Sequence, residues 1–202
     1  NDYVDYIKKI NQDNISGISY QTATNFNIIN YNEESGYQLI NSTNAGLMPW
    51  SLLPTKKDGS SDMLDANYDV IAGEVDTTKP GLILQVDSKN RVYASTLKQL
   101  GFNDAEEVSF EDILNKELKL VLNDDYYKKV DNFYIPNKDL EALYNNENSI
   151  TIKVQAIIRG KEDKEVLTSG SGIAYTNALT NIVIENNKGS NIVNDQKESD
   201  YN

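Results

Sequence analysis

The chain has 202 residues, with 31 acidic and 19 basic side chains, a formal charge of −12, and neither cysteine nor histidine. That composition excludes disulfides, thiolate nucleophiles, imidazole bases and Cys/His zinc sites, and with them the Ser-His-Asp and Cys-His triads. The cations are a scattered minority, which argues against nucleic acid or an anionic membrane surface as the ligand, since both call for a clustered positive face.

The length suits one domain or two small lobes, and no apolar run approaches the roughly 20 residues that span a bilayer. Residues 1–14 are polar and amphipathic and carry no signal-peptide pattern, so an exported or membrane-bound parent would hold those segments outside this chain. Within 2–14, Tyr3, Ile7 and Ile10 recur at helical spacing with Tyr6 beside them and Asp5, Lys8 and Lys9 opposite, which predicts an amphipathic helix. Ile18, Tyr20, Thr22, Thr24, Phe26 and Ile28 share one parity, the pattern of a half-buried strand. A polar turn over 32–36 and a return strand over 37–41 complete a hairpin.

Residues 42–64 have no period and carry two prolines, which predicts a loop. A loop of this length with large apolar residues is either functional or packed down. In the first case Leu47, Met48, Trp50 and Leu52 form an exposed contact site for a partner, a transported substrate or the membrane interface, where Trp is favoured. In the second, Trp50 and Leu52 cover one end of the core.

From Tyr68 the chain reads as a short extended segment, a charged turn, a buried strand (Leu82, Ile83, Leu84, Val86), a polar turn over 88–91, and a helix carrying Val92, Leu97 and Leu100. Gly101 stands where a left-handed terminator is expected. Ser109 is a helix N-cap, with Glu111 and Asp112 in the first turn where the dipole favours acids. Leu118, Leu120 and Leu122 alternate as a strand, and 123–125 form a turn. The ribbon over 126–136 holds Tyr126, Tyr127, Phe133 and Tyr134, as either a tyrosine recognition surface or a sheet edge that pairs its aromatics.

Asn137 is expected to cap a short helix with Leu140, Leu143 and Tyr144. Ile150, Ile152, Val154, Ala156 and Ile158 give the cleanest two-residue alternation in the chain, and Thr176 caps a helix with Leu179, Ile182 and Val183. The segment 187–202 is polar, with 195–202 expected to fray. Strands interleaved with helices predict an α+β fold, a mixed sheet with helices packed on one side.

Apparent catalytic signals fail on their context. Ser95-Thr96-Leu97-Lys98 fits Ser-x-x-Lys, but the chain has no Lys-Thr-Gly to complete that site. Ser169-Gly170-Ser171-Gly172 lacks the flanking glycine of a nucleophile elbow, and no phosphate loop is present, so neither nucleotide nor DNA is an expected ligand. The acid pairs Asp58 with Asp62, Asp124 with Asp125 and Glu162 with Asp163 fall in predicted turns without the spacing of a calcium loop. No catalytic, cofactor or metal residue is assigned.

Several segments together resemble the extracytoplasmic, MacB-like core domain of FtsX-like ABC-transporter permeases, especially the large Gram-positive ones. Leu82 to Asp87, then Asn90 and a helix ending Leu100-Gly101, are similar to that family's apolar strand and following helix. Gly73-Glu74-Val75 stands where relatives have a Gly-Arg-x-Pro turn, without the Arg and Pro; Ile113-Leu114-Asn115 precedes Leu118 to Leu122, with Asn115 in place of a glycine. Ile157-Ile158-Arg159-Gly160, followed by Lys161, Glu162 and Asp163, resembles the end of another family strand, and Gly172-Ile173-Ala174-Tyr175-Thr176 the approach to a helix.

The resemblance implies a domain over 1–186, of one or two lobes with a loop insertion around 42–66, on the extracellular face of a cell membrane. Its native ectodomain would continue past Asn202. Its partners would be the permease's own transmembrane helices and a cytoplasmic ATP-binding subunit. Its outer contact would be a peptide or lipid-like substrate or an extracellular protein, and the domain would perform no bond chemistry. Candidate contact residues are Leu47, Met48, Trp50, Leu52, Tyr126, Tyr127 and Tyr134. The competing reading is a standalone extracellular binding or surface lipoprotein module.

Overall fold

The computed structural model describes residues 2–7, 9–11, 24–41, 50–54, 62–103, 107–162 and 172–199. It opens with α1 (Asp2–Ile7), followed by the hairpin β1 (Asn27–Asn32) and β2 (Gly36–Asn41). Ile18, Tyr20 and Thr22 lie outside the described residues. The face predicted to be buried on the first helix is not: Tyr3, Tyr6 and Ile10 are exposed. The next elements are β3 (Ser51–Leu52), α2 (Asp62–Asn67), β4 (Tyr68–Gly73), β5 (Leu82–Val86), α3 (Ala94–Gln99), α4 (Phe110–Asn115) and β6 (Glu117–Val121). The chain continues through α5 (Asn123–Tyr126), the hairpin β7 (Tyr127–Val130) and β8 (Phe133–Pro136), and α6 (Leu140–Tyr144). It closes with β9 (Ile150–Gly160), β10 (Gly172–Tyr175), α7 (Asn177–Lys188) and α8 (Asn191–Glu198).

The fold is α+β, with a mixed, curled sheet of eight strands in the order β2-β1-β6-β9-β5-β10-β3, and β4 paired to β9 off that path. β9 is the hub. It pairs antiparallel with β6 along its first half, then with β4 antiparallel and β5 parallel along its second. β5 is buried throughout, as expected for a strand covered on both faces. Its neighbours sort by parity: Leu82, Leu84 and Val86 join the main core with Ile113, Leu179 and Val183, while Ile83 joins a second core with Leu53, Leu64 and Tyr68. Successive side chains on a strand point to opposite faces, so α4 and α7 cover one side and α2 the other. β1 repeats the pattern, with Ile28 in the main core and Ile29 in a third with Val121, Tyr126 and Leu143. The expectation of helices on one side is therefore corrected: both faces of the sheet carry apolar residues, and helices cover both.

The clean alternation of β9 also changes in space. Ile152, Val154 and Ile157 face the main core, but Ala156 and Ile158 face the second. The register skips at this point, Leu82 opposite Val154 and Ile83 opposite Ala156, so Gln155 is an extra residue that reverses the parity downstream. The bulge holds the 74–81 turn. The Gln155 carbonyl accepts from Glu74 N–H at 3.1 Å, its Oε1 from Asp76 N–H at 3.3 Å, and its Nε2 donates to the Lys79 carbonyl at 3.3 Å. From the other side Thr176, fully buried, donates its hydroxyl to the Lys79 carbonyl at 2.8 Å and accepts from Gly81 N–H at 3.3 Å.

Local caps follow their residues. The Ser109 hydroxyl accepts from Asp112 N–H at 3.0 Å, and Thr176 accepts from Leu179 N–H at 3.4 Å. Gly101 takes φ +87° and ends α3 in a Schellman motif, its N–H on the Lys98 carbonyl at 2.9 Å and the next amide on that of Leu97 at 3.0 Å. Three expectations need correction. The cap of α6 is Asp139, which accepts from Ala142 N–H, rather than Asn137, whose Oδ1 instead accepts from Asp139 N–H. Residues 123–125 begin a helical turn rather than a plain turn. The polar C-terminal segment expected to fray forms α8 as far as Glu198.

Candidate functional site

The described residues among those singled out as contacts do not converge. Leu47 and Met48 lie outside the described residues. Trp50 is only 6 % exposed, packs in the main core, and donates its indole N–H to Gln99 Oε1 at 2.5 Å. Leu52 is half-buried in β3, which pairs parallel with β10. Of the two readings of this loop, the packed-down one therefore holds at Trp50 and Leu52 and the exposed one fails, because pairing of β3 with β10 draws the chain onto the sheet and the indole finds a partner at the end of α3. Trp50 is the only tryptophan of the chain, so its fluorescence reports this directly. Its emission is expected to be blue-shifted and poorly quenched by acrylamide; emission like that of a solvated indole would show the packing to be absent.

Tyr126 is buried against Ile29, Val121 and Leu143, and its ring meets that of Tyr127 edge-on at 4.9 Å; burial pushes its hydroxyl pKa up. Tyr127 and Tyr134 are half-buried. On the opposite face of the β7–β8 hairpin, Val130, Phe133 and Ile135 are exposed, Phe133 by 74 %. Of the ribbon, then, Tyr126 belongs to the core, while Tyr134 reaches a partner on α8. Its hydroxyl donates to Asp195 Oδ2 at 2.7 Å, beside the Lys129 ammonium at 2.5 Å. The hydrogen bond from Lys129, then that from Tyr134, holds the Asp195 carboxyl below its ordinary range.

A second polar constellation joins β1 to the end of α3. Asn30 is fully buried and its amide donates to the carbonyls of Lys98 and Gln99 at 3.0 and 2.9 Å. Asn32 donates to the Gly101 carbonyl at 3.0 Å and to Asn103 Oδ1, and its own Oδ1 accepts from the Glu34 and Ser35 amides. The Lys116 ammonium also reaches the Gly101 carbonyl, at 3.0 Å, over the Phe102 ring; burial pushes its pKa down. These donors satisfy carbonyls that a helix end leaves open. The cleft beside them, with Asn32, Gln38, Lys98 and Phe102 on its walls, holds about 220 Å³, below the roughly 300 Å³ at which small-molecule pockets begin.

Of the acid pairs, Asp124 and Asp125 bond to neighbouring segments. Asp124 accepts from Asn191 N–H at 2.8 Å, and Asp125 accepts from the side chains of Asn146 and Asn148. Asp58 and Asp163 lie outside the described residues. Asp76 is held at about 2 by Thr78 and then Lys79, and Asp87 at about 2 by Arg91, each inside its own turn. Carboxyls held this low are anions at neutral pH, and a general acid needs the opposite shift. Among the described residues no group of three acids is placed to hold a metal ion, and no helix is long and apolar enough to cross a membrane.

Sequence reasoning missed Lys129, Asp195 and Asn30. Lys129 and Tyr134 could have been paired by folding the ribbon about Asp131-Asn132; nothing local links Asp195 to them. Compared with protein-family models, curated proteins and solved structures, the chain matches none.

Proposed function

We propose that this chain is the extracytoplasmic, MacB-like core domain of an FtsX-like permease. It docks a substrate or partner and passes on motion driven by a cytoplasmic ATP-binding subunit, with no bond chemistry of its own. One observation supports the reading most: segments that resemble the family, spread over a hundred residues of chain, are neighbours in space. β5 pairs with both β9 and β10, Gly73 lies on the Gln155 bulge, and Thr176 clasps the turn that starts at Gly73.

The mechanical part of the reading draws on β9. Parallel and antiparallel neighbours share this one strand, so displacement at one end of the sheet passes through it to the other. The intact gene product is expected in the membrane fraction, with this domain cleaved by protease added outside cells and an ATP-binding subunit retained on purification. A product released freely from cells, or anchored only by lipid, would replace this reading with the standalone module.

A further inference from the structure

Lys129 and Tyr134 are directly paired residues of β7 and β8. The hairpin's own register therefore brings an ammonium and a hydroxyl to one point, with no help from the rest of the chain. Both meet a single carboxylate oxygen, Asp195 Oδ2. That carboxylate arrives on α8, a helix with no buried residue. Its first amide, Asn191 N–H, donates to Asp124 of α5, and Lys197 near its other end donates to the Lys188 carbonyl. The joint before it contains Gly189, around which a side chain would meet open space.

We propose that the Lys129–Tyr134 pair is a carboxylate-binding site for an acidic peptide segment, kept closed in this chain by Asp195, with α8 as a strap that lifts to open it. The donor pair is preorganised, and the occupant is tethered by contacts of the weakest class: exposed ion pairs hold loosely and are screened by salt. Elements with few buried apolar groups open well before the global transition. The chain's negative charge weakens but does not bar an acidic visitor: Asp124 and Glu198 act on the pair, Glu198 leaves with α8, and more distant acids are screened over a Debye length of about 8 Å. The inference rests on the tyrosine ribbon and not on the permease reading.

The test uses the full chain carrying Asp195→Asn, with amide exchange and an NMR titration against a synthetic peptide of residues 191–198. The α8 amides are expected to exchange roughly fivefold faster than in the unsubstituted chain, with β9 amides unchanged. The peptide is expected to shift the Lys129 and Tyr134 signals, and a peptide with Asn in place of its Asp to bind roughly fivefold more weakly. Adding Lys129→Met and Tyr134→Phe should remove the difference. The proposal falls if α8 amides exchange only with β9, or if the two peptides titrate alike or not at all.

Discussion

Gly73→Ala should lower the thermal midpoint by about 10 °C, while Gly36→Ala, at the same φ of +71°, should lower it by only a few degrees. Both glycines sit in left-handed backbone, which costs an alanine about 1–2 kcal/mol. Only at Gly73 would the new methyl also strike backbone, lying 2.1 Å from the Gln155 carbonyl oxygen and 3.0 Å from the Ala156 Cα; around Gly36 there is open space. Neither backbone atom is free to yield, since the Gln155 carbonyl is bonded to Glu74 N–H and Ala156 is packed in the second core. The total of about 3 kcal/mol or more is a large part of the roughly 5–15 kcal/mol that holds a domain together. Equal melting of the two variants would show that the bulge does not press on this turn.

Asn30→Asp is expected to make folding depend steeply on pH. The amide donates to two buried carbonyls, and its Oδ1 has no hydrogen-bond partner. A carboxylate there would face the Lys98 and Gln99 carbonyls with no donor in reach, at a helix end that repels anions. Protonated, it can still donate to one of them. The introduced group's folded pKa therefore lies well above the roughly 3.9 of the unfolded chain. The native state then binds more protons than the unfolded state, and stability falls as pH rises above about 4, by up to about 1.4 kcal/mol per unit. Melts at pH 4.5 and 7 should differ by up to about 10 °C in the variant relative to the unsubstituted chain; parallel pH profiles would refute the buried-amide geometry.

Features with a local cause were legible. The apolar run of β5, the Ser109 and Thr176 caps and the Gly101 terminator depend on residues within a turn of one another, and each stands where expected. What failed, or stayed open between two readings as at Trp50, depends on distant partners. Trp50 is buried because β3 finds β10, more than a hundred residues away. Gln155 looks like any polar position on an alternating strand until the 74–81 turn closes on it. Asn30 has the same parity as Phe26 and Ile28 and reads as a polar interruption, yet the carbonyls at the end of α3 make it a core residue. The tail forms a helix because Asp124 and the β7–β8 hairpin lie beneath it, a support no sequence window contains. Of the candidate contacts, Tyr134 could be placed from the ribbon; its carboxylate partner could not.

The central position of β9 also sets the order of assembly on the ribosome. The β1–β2 and β7–β8 hairpins close between near neighbours and can form as they emerge. β4, β5 and β6 must wait, each with an unsatisfied edge, until translation delivers residues 150–160. Nascent intermediates thus present unpaired apolar strands from the synthesis of β4 until that of β9, the condition under which chains stick to one another or recruit chaperones.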